Sequence, residues 1–273
     1  MTVIIFWCSG IIIGLLSGLV GIGGGTILLP LLVNLGYSPA QGVATSSLVI
    51  VLTTCSSCWR NWKNDGFNLE KISFLATAAM ATAPLGVVLS TKIPDFLLLL
   101  TFGIFLIVNI FLASLRRNLK PPAKNSPYAK KIYIYPGRIL TGAISGFLAG
   151  LFGIGGGAIM VPLQMLLLRE KIKIAIQTSI GVILITSIFN FLIYVRQGNV
   201  SFSAGIILGL GGLCGAQVSS YYLPKVSDKI IGLIFNAILV ILAANMFWQA
   251  GFTYASHLVD PNPGTTALNR LGG

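Results

Sequence analysis

The feature that most constrains this chain is a glycine-rich segment that occurs twice. Residues 18–32 read GLVGIGGGTILLPLL and residues 150–164 read GLFGIGGGAIMVPLQ, at an offset of 132 residues. The agreement continues on both sides, from the pair Gly10 and Gly142 to the pair Gly66 and Gly198, and we expect it to need no gap. A repeat of this length predicts two halves that share one architecture and meet at a common site.

The composition places the chain in a lipid bilayer. Hydrophobic residues make up 55% of it and charged residues only 9%, which is too little charge to coat a soluble protein. No charged residue precedes Arg60, and those that follow are clustered, as expected for apolar spans joined by loops. Because most basic residues lie between spans, the net charge of +12 indicates membrane orientation rather than nucleic-acid binding. We expect a multi-pass protein of the cell membrane, with lipid as a partner.

The apolar segments predict an all-α polytopic fold with two homologous halves. They run over 3–20, 27–35, 41–59, 69–90 and 96–115, and again over 139–152, 159–168, 173–195, 202–222 and 230–249. The second segment of each half is too short to span, so each half has about four full spans plus a short helix broken by glycine. The predicted organisation is a first repeat over 1–115, a basic cytoplasmic linker over 116–138, a second repeat over 139–250 and a tail over 251–273. Segment 3–20 lacks the flanks of a signal peptide and is interpreted as a retained span.

The basic linker sets the predicted orientation. Residues 116–138 carry seven Lys or Arg and no acid, so the positive-inside rule places them in the cytoplasm. If each short segment with its glycines is a fifth crossing, the halves are inverted and eight further basic residues lie inside against three outside. Four crossings per half give parallel halves and no such bias. Inverted repeats are therefore predicted, with both termini outside and loops 60–71, 169–173 and 225–229 inside.

The two GIGGG sequences, residues 21–25 and 153–157, are the strongest candidates for a substrate site, and we call them the first and second glycine knots. Contiguous glycines exceed what a helix-packing face requires, whereas the spaced set from Gly10 to Gly18 and its copy from Gly142 to Gly150 are expected to pack helices. Positive φ at glycine and the free amides of the following half-helix favour an anion. The candidate substrate-binding residues are Gly21, Gly23, Gly24, Gly25, Thr26, Gly153, Gly155, Gly156 and Gly157.

Polar residues of the next helices are the second candidates. They are Thr45, Ser46 and Ser47 in the first half and Gln177, Thr178 and Ser179 in the second half. Hydroxyl and amide groups can donate to an anion, but hydrogen bonding between helices explains them equally well.

The remaining chemistry argues against an enzyme. All six acidic residues lie in predicted loops, at span ends or in the tail, so the carboxylate of a proton or sodium relay is missing. An anion leaving an inside-negative cell gains about 2.3 kcal/mol per charge per 100 mV, which favours export without a coupling ion.

No metal or other cofactor is expected, and Cys55 and Cys58 are interpreted as packing residues. A carrier of another small anion or metabolite, a thiol-dependent membrane enzyme and a homo-oligomer stay open.

The paired G-x-x-x-G-x-x-G-x-G-G-G-x-x-x-x-P-x-L segments, each followed by an A-x-x-T-S or similar stretch, resemble the TauE/SafE family of membrane permeases. The resemblance covers essentially the whole chain. It departs slightly at residues 44–47, which read ATSS where the family often has Gly-Thr-Ser. It implies transport of small sulfur-containing anions, such as sulfite, thiosulfate or organosulfonates, and it does not select among them.

Overall fold

The computed structural model describes residues 2–21, 23–63, 68–117 and 131–259, which form α-helices, one 3-10 helix and no strand. The helices, in chain order, are α1 Thr2–Val20, α2 Gly25–Asn34, α3 Pro39–Lys63, α4 Leu69–Ser90, α5 Asp95–Arg117, α6 Lys131–Phe152, α7 Gly157–Leu167, α8 Ile172–Arg196, α9 Phe202–Tyr222 and α10 Asp228–Val259, with the 3-10 helix at Leu223–Lys225. The expected all-α fold is confirmed. In the described part of the chain, seven helices are long and apolar enough to cross a membrane, namely α1, α3, α4, α5, α8, α9 and α10.

Helix α6 begins inside the segment that the sequence predicted as a solvated linker. The predicted span 139–152 would reach only about 21 Å, whereas the 22 residues of α6 reach about 33 Å at 1.5 Å per residue. The side chain of Arg138 is only 10% exposed and pairs with Glu70, which offsets the cost of a charge in this part of the helix. Likewise, α10 continues to Val259, nine residues into the segment 251–273 predicted as a tail.

The two halves match at an offset of 132 only as far as the knots. Helices α2 and α7 begin at Gly25 and Gly157, but α2 has 10 residues and α7 has 11. From there on the offset is 133: α3 and α8 both have 25 residues, and Val43 of α3 lies against the second knot as Ile176 of α8 lies against the first. The expectation of a repeat without a gap is therefore wrong. Equivalent residues of α3 and α8 lie one position further along than the sequence match indicated.

The first helix of each half packs against the fourth helix of the other half. In the pair α1 and α9, Gly10 faces Leu208 and Gly18 faces Ser219, so these helices run in the same direction. A Cβ at Gly10 would lie 2.3 Å from the Leu208 carbonyl oxygen, which means that the backbones touch. The expected packing role of these spaced glycines is confirmed.

The pair α4 and α6 repeats this arrangement. Gly142 faces Leu75 and Gly150 faces Ala83, again with the two helices running in the same direction. Each first helix is thus held by a glycine face against a helix from the other half. The two halves are interlocked rather than side by side.

Helices α3 and α8 are antiparallel at the centre of the molecule. Near the start of α3, the hydroxyl of Thr45 accepts a hydrogen bond from the amide of Ser201, just beyond the end of α8, at 3.0 Å. Near the end of α3, the thiol of Cys58 donates to the carbonyl of Ile180, in the first half of α8, at 3.5 Å. Corresponding helices of the two halves therefore point in opposite directions here.

Ion pairs connect residues at one end of the helices. We call this end, where Lys71, Arg138 and Lys173 lie, the basic end. The ion pairs include Lys71 with Glu170, Arg138 with Glu70, and Lys173 with Asp228, with N···O distances of 2.6, 3.2 and 3.7 Å. The alternative with four crossings per half would place Lys71 and Glu170 on opposite sides of a membrane. In this structure the two side chains are in direct contact.

Candidate anion site at the two glycine knots

Each knot reverses the chain between a long helix and a short one. The glycines on these turns have positive φ angles of 72° to 79° in the first knot and 62° to 78° in the second, at Gly21, Gly23, Gly24, Gly153, Gly155 and Gly156. Only glycine adopts this conformation without a steric penalty. The short helix then runs back along the long one, since Gly24 lies against Ile13 of α1 and Gly156 against Ser145 of α6.

The short helices α2 and α7 begin directly at the knots with uncapped N-termini. Their N-cap residues are Gly24 and Gly156, and neither can supply a side-chain cap. The amides of Gly23, Gly24, Gly155 and Gly156 donate no hydrogen bond to any residue that the structure describes. Free amides and the positive end of a helix dipole together favour a negative charge.

The two knots meet at the centre of the molecule. A Cβ at Gly23 would lie 3.0 Å from the Ile183 side chain and 3.4 Å from that of Ile50, and a Cβ at Gly155 would lie 2.6 and 3.3 Å from the same two side chains. Ile50 and Ile183 are each the twelfth residue of a 25-residue helix. Gly25, the first residue of α2, also touches the second knot, because a Cβ there would lie 2.8 Å from the carbonyl oxygen of Gly153. Two half-helix N-termini are thus brought together beside an apolar pair of side chains.

The predicted serines of α3 lie close to the second knot, but their hydroxyl protons are already in use. Ser46 donates to the carbonyl of Gly153 at 2.7 Å, with the Val43 carbonyl at 2.8 Å as an alternative acceptor. Ser47 donates to the carbonyl of Ala44 at 2.6 Å within its own helix. Ser46 therefore fixes the position of the knot, while Ser47 contacts only its own turn of helix.

The predicted polar residues of α8 do not repeat the contact that Ser46 makes. Ser179 donates to the carbonyl of Ala175 at 2.6 Å and accepts a hydrogen bond from the amide of Gln164, on α7, at 3.0 Å. Thr178 is buried, whereas Gln177 is half-buried. Gln164 was not expected from the sequence, because the first half has leucines around the corresponding position.

Besides Ser145 of α6, which lies against Gly156, two buried hydroxyl groups at the knots have no hydrogen-bond partner in the described part of the chain. One is Thr26, in the first turn of α2, which is 0% exposed. The other is Ser187 of α8, 1% exposed, whose oxygen lies 3.3 Å from the Cβ position of Gly155. Thr26 was expected from the sequence and Ser187 was not. At the offset of 133 Ser187 is equivalent to Thr54. The sequence match at the offset of 132 had instead aligned Thr54 with Thr186, so Ser187 was not singled out.

Charged and thiol groups lie elsewhere. The described Lys and Arg residues are in loops or near helix ends, except for Arg138, which lies two turns into α6 and pairs with Glu70 at the basic end. The knots therefore offer an anion amides and hydroxyls rather than a cationic side chain. Cys55 is exposed on the surface of α3, and Cys58 contacts the α8 backbone. No group of three or more His, Cys, Asp or Glu that could hold a metal ion occurs among the described residues.

Comparisons with known proteins agree with this picture of a membrane protein. A family model described as sulfite exporter TauE/SafE matches residues 6–246. The probable membrane transporter protein YunE of Bacillus subtilis (strain 168) is 26% identical, over 93% of this chain and 100% of YunE. A probable membrane transporter protein of Methanocaldococcus jannaschii is 27% identical, over 87% of this chain and 92% of that protein. YjnA of Bacillus subtilis (strain 168), of the same description, is 25% identical, over 85% and 94%. No solved structure matches the chain.

Proposed function

The chain belongs to the sulfite exporter TauE/SafE family and is a multi-pass membrane transporter, and from this premise we propose that it exports small sulfur-containing anions such as sulfite, thiosulfate or organosulfonates. The anion binds between the two glycine knots, at the N-termini of α2 and α7. The observation that carries this proposal is the meeting of both knots at Ile50 and Ile183. Amides from both halves of the chain are then available to one anion.

The surroundings of the knots suit a small oxyanion. Free amides and the hydroxyls of Thr26 and Ser187 can donate hydrogen bonds to several oxygens at once. The flanking isoleucines keep water away, and hydrogen bonds to a charged ligand are stronger in such a low-dielectric site. An anion held in this way is not neutralised by a fixed cation, so it can leave again, as transport requires.

We further propose that the two halves are inverted repeats in the cell membrane, with the basic end in the cytoplasm. The opposite directions of α3 and α8 support inversion. Lys71, Glu170 and Lys173 lie together at the basic end, and basic residues favour the cytoplasmic side of a membrane.

The proposed direction is export driven by the membrane potential. The described acids Glu70, Asp95, Glu170 and Asp228 all lie at or next to helix ends, whereas a proton or sodium relay needs a carboxylate at membrane depth. An anion moving out of an inside-negative cell gains about 2.3 kcal/mol per charge per 100 mV without any coupling ion.

The direct test is flux in liposomes that contain the purified protein. Vesicles are loaded with ³⁵S-labelled sulfite, thiosulfate or a sulfonate, and a potassium diffusion potential is set with valinomycin. We expect efflux of at least one of these anions that speeds up when the interior is negative and needs no proton or sodium gradient. Protein-free vesicles and labelled acetate are the controls.

Two outcomes would overturn parts of the proposal. If none of the sulfur anions moves but another small anion does, the carrier remains and the substrate class is wrong. If efflux depends on a proton or sodium gradient at zero potential, the uncoupled export mechanism is wrong.

A further inference from the structure

A row of buried residues, polar except for its first member, lies on one face of α3. Ile50, Thr54, Ser57 and Asn61 are spaced by four, three and four residues, which places them on a single helix face. All four are at most 1% exposed. The row begins beside the knots at Ile50 and ends at Asn61, in the last turn of α3 at the basic end.

Helix α8 carries a matching row. Ile183, Ser187, Asn190 and Tyr194 have the same spacing and are at most 2% exposed. Each of them lies 133 positions after its counterpart in α3. This row also begins beside the knots, at Ile183, and ends at Tyr194 near the C-terminus of α8.

The two rows lead away from the knots in opposite directions, because α3 and α8 are antiparallel. The α3 row covers the half of the protein between the knots and the basic end. The α8 row covers the half between the knots and the opposite end. Together the two rows extend from near one end of the molecule to near the other. Their polar residues are separated at the centre by the knots, Ile50 and Ile183.

Three polar atoms in these rows lack a hydrogen-bond partner in the described part of the chain. They are Nδ2 of Asn61, the hydroxyl of Ser187 and Oδ1 of Asn190. A buried polar atom without a partner costs free energy unless water or a ligand reaches it. The three atoms lie on faces that lead to the knots from both sides, and this placement favours water or substrate as their partner.

We propose that the transported anion enters and leaves along these two rows, with Ser57 and Asn61 lining the basic half of the path and Ser187 and Asn190 lining the other half. The neutral hydroxyl and amide groups replace part of the hydration shell of the anion. The nature of the substrate rests on the function proposed above, whereas the position of the path does not.

The test is the accessibility of single cysteines from each side of the membrane. Asn61→Cys and Asn190→Cys are introduced separately into a protein whose Cys8, Cys55, Cys58 and Cys214 are replaced by serine. Right-side-out and inside-out vesicles are then treated with a membrane-impermeant sulfonated methanethiosulfonate. We expect Asn61→Cys to react from the basic end only and Asn190→Cys from the opposite end only. Lack of reaction at either position, or reaction of both from the same side, would overturn the path.

The matched control is Asn109 of α5. It is 0% exposed and its Oδ1 has no partner in the described residues, while its Nδ2 donates to the Phe105 carbonyl. Because Asn109 lies outside both rows, we expect Asn109→Cys to react from neither side. Reaction there at a similar rate would mean that labelling reports general loosening of the helices and would also overturn the path.

Flux provides a second readout. We expect Asn61→Leu and Asn190→Leu each to slow anion efflux by about tenfold, the effect of losing one hydrogen bond to a charged group, and Asn109→Leu to stay within about twofold. Unchanged efflux in both row variants would contradict the inference. If the cysteines label as expected and no sulfur anion is transported by the parent protein, the path stands and the proposed substrate class fails.

Discussion

At Gly23 and Gly155 any side chain would project into the space where the two knots meet. Both residues have positive φ, and both face the side chains of Ile50 and Ile183 rather than backbone. At Gly23 a methyl group would lie 3.0 Å from Cγ2 of Ile183 and needs a shift of a few tenths of an ångström, whereas at Gly155 the same Cγ2 would lie at 2.6 Å and Ile183 must move further. The methyl group would still displace an anion from the amides, which makes alanine a sharper probe here than a larger residue.

We expect Gly23→Ala to reduce anion flux by at least about tenfold while costing about 1–2 kcal/mol of stability, the penalty of a left-handed conformation at a residue with a Cβ. The control is Gly198→Ala, because Gly198 has a φ of 73° against 75° at Gly23 and has no atom within 4 Å of its Cβ position. The control should lose similar stability and keep its flux. Thermal unfolding in detergent and flux in liposomes measure the two effects, and full flux in Gly23→Ala would remove the first knot from the site.

Among the helices, the glycine faces of α1 and α6 decide how closely the two halves pack. A Cβ at Gly14 would lie 2.1 Å from the Gly212 carbonyl oxygen, and a Cβ at Gly146 would lie 2.1 Å from that of Ala79. Neither backbone oxygen can move without moving its helix. Packing at these positions therefore depends on the absence of a side chain.

We expect Gly14→Ala and Gly146→Ala each to destabilise the protein by about 1–3 kcal/mol, as overpacking does, and to lose activity in proportion. Gly251→Ala is the control, since Gly251 lies within α10 with no atom within 4 Å of its Cβ position. It should be neutral or more stable by about 0.5–1 kcal/mol, because alanine favours a helix. Equal melting temperatures for all three variants would contradict the close helix contacts.

The sequence predicted most of the elements, but not their register. Continuous apolar segments and the GIGGG copies indicated the long and short helices, because composition alone identifies a span. The sequence did not reveal that α7 has one residue more than α2. Matches such as Leu52 with Leu184 arise easily between apolar helices, so the alignment at an offset of 132 still looked correct beyond the knots. A shift of one residue turns a helix by about 100°, which is why the equivalence of Ser187 with Thr54 was missed. The start of α6 was missed because the pairing of Arg138 with a carboxylate cannot be seen in sequence.

For the molecule as a whole, two of the ion pairs at the basic end, Lys71 with Glu170 and Arg138 with Glu70, link the two halves. Lys71 belongs to the first half and Glu170 to the second, and their side chains are only 24% and 11% exposed. This contact supports the proposed inverted arrangement, in which both side chains lie on one side of the membrane. The positive-inside rule predicts that the basic end faces the cytoplasm.

We expect cysteines at Lys171 and Lys229 to be protected in intact cells and cysteines at Lys92 and Arg196 to react with an impermeant maleimide. All four positions are exposed on the surface, so differences in labelling report the side of the membrane rather than burial. Labelling of Lys171→Cys and Lys229→Cys from outside would reverse the proposed orientation without affecting the transporter assignment.

The most direct test of the central claim is the number of anions bound per chain. Equilibrium binding to the purified protein of the ³⁵S-labelled anion that it transports, be it sulfite, thiosulfate or a sulfonate, should give one site, because the two knots share a single centre. Gly23→Ala and Gly155→Ala should each abolish this site, whereas Gly198→Ala should keep it. Two sites per chain, of which each knot variant loses one, or undiminished binding in both variants, would contradict a shared anion site.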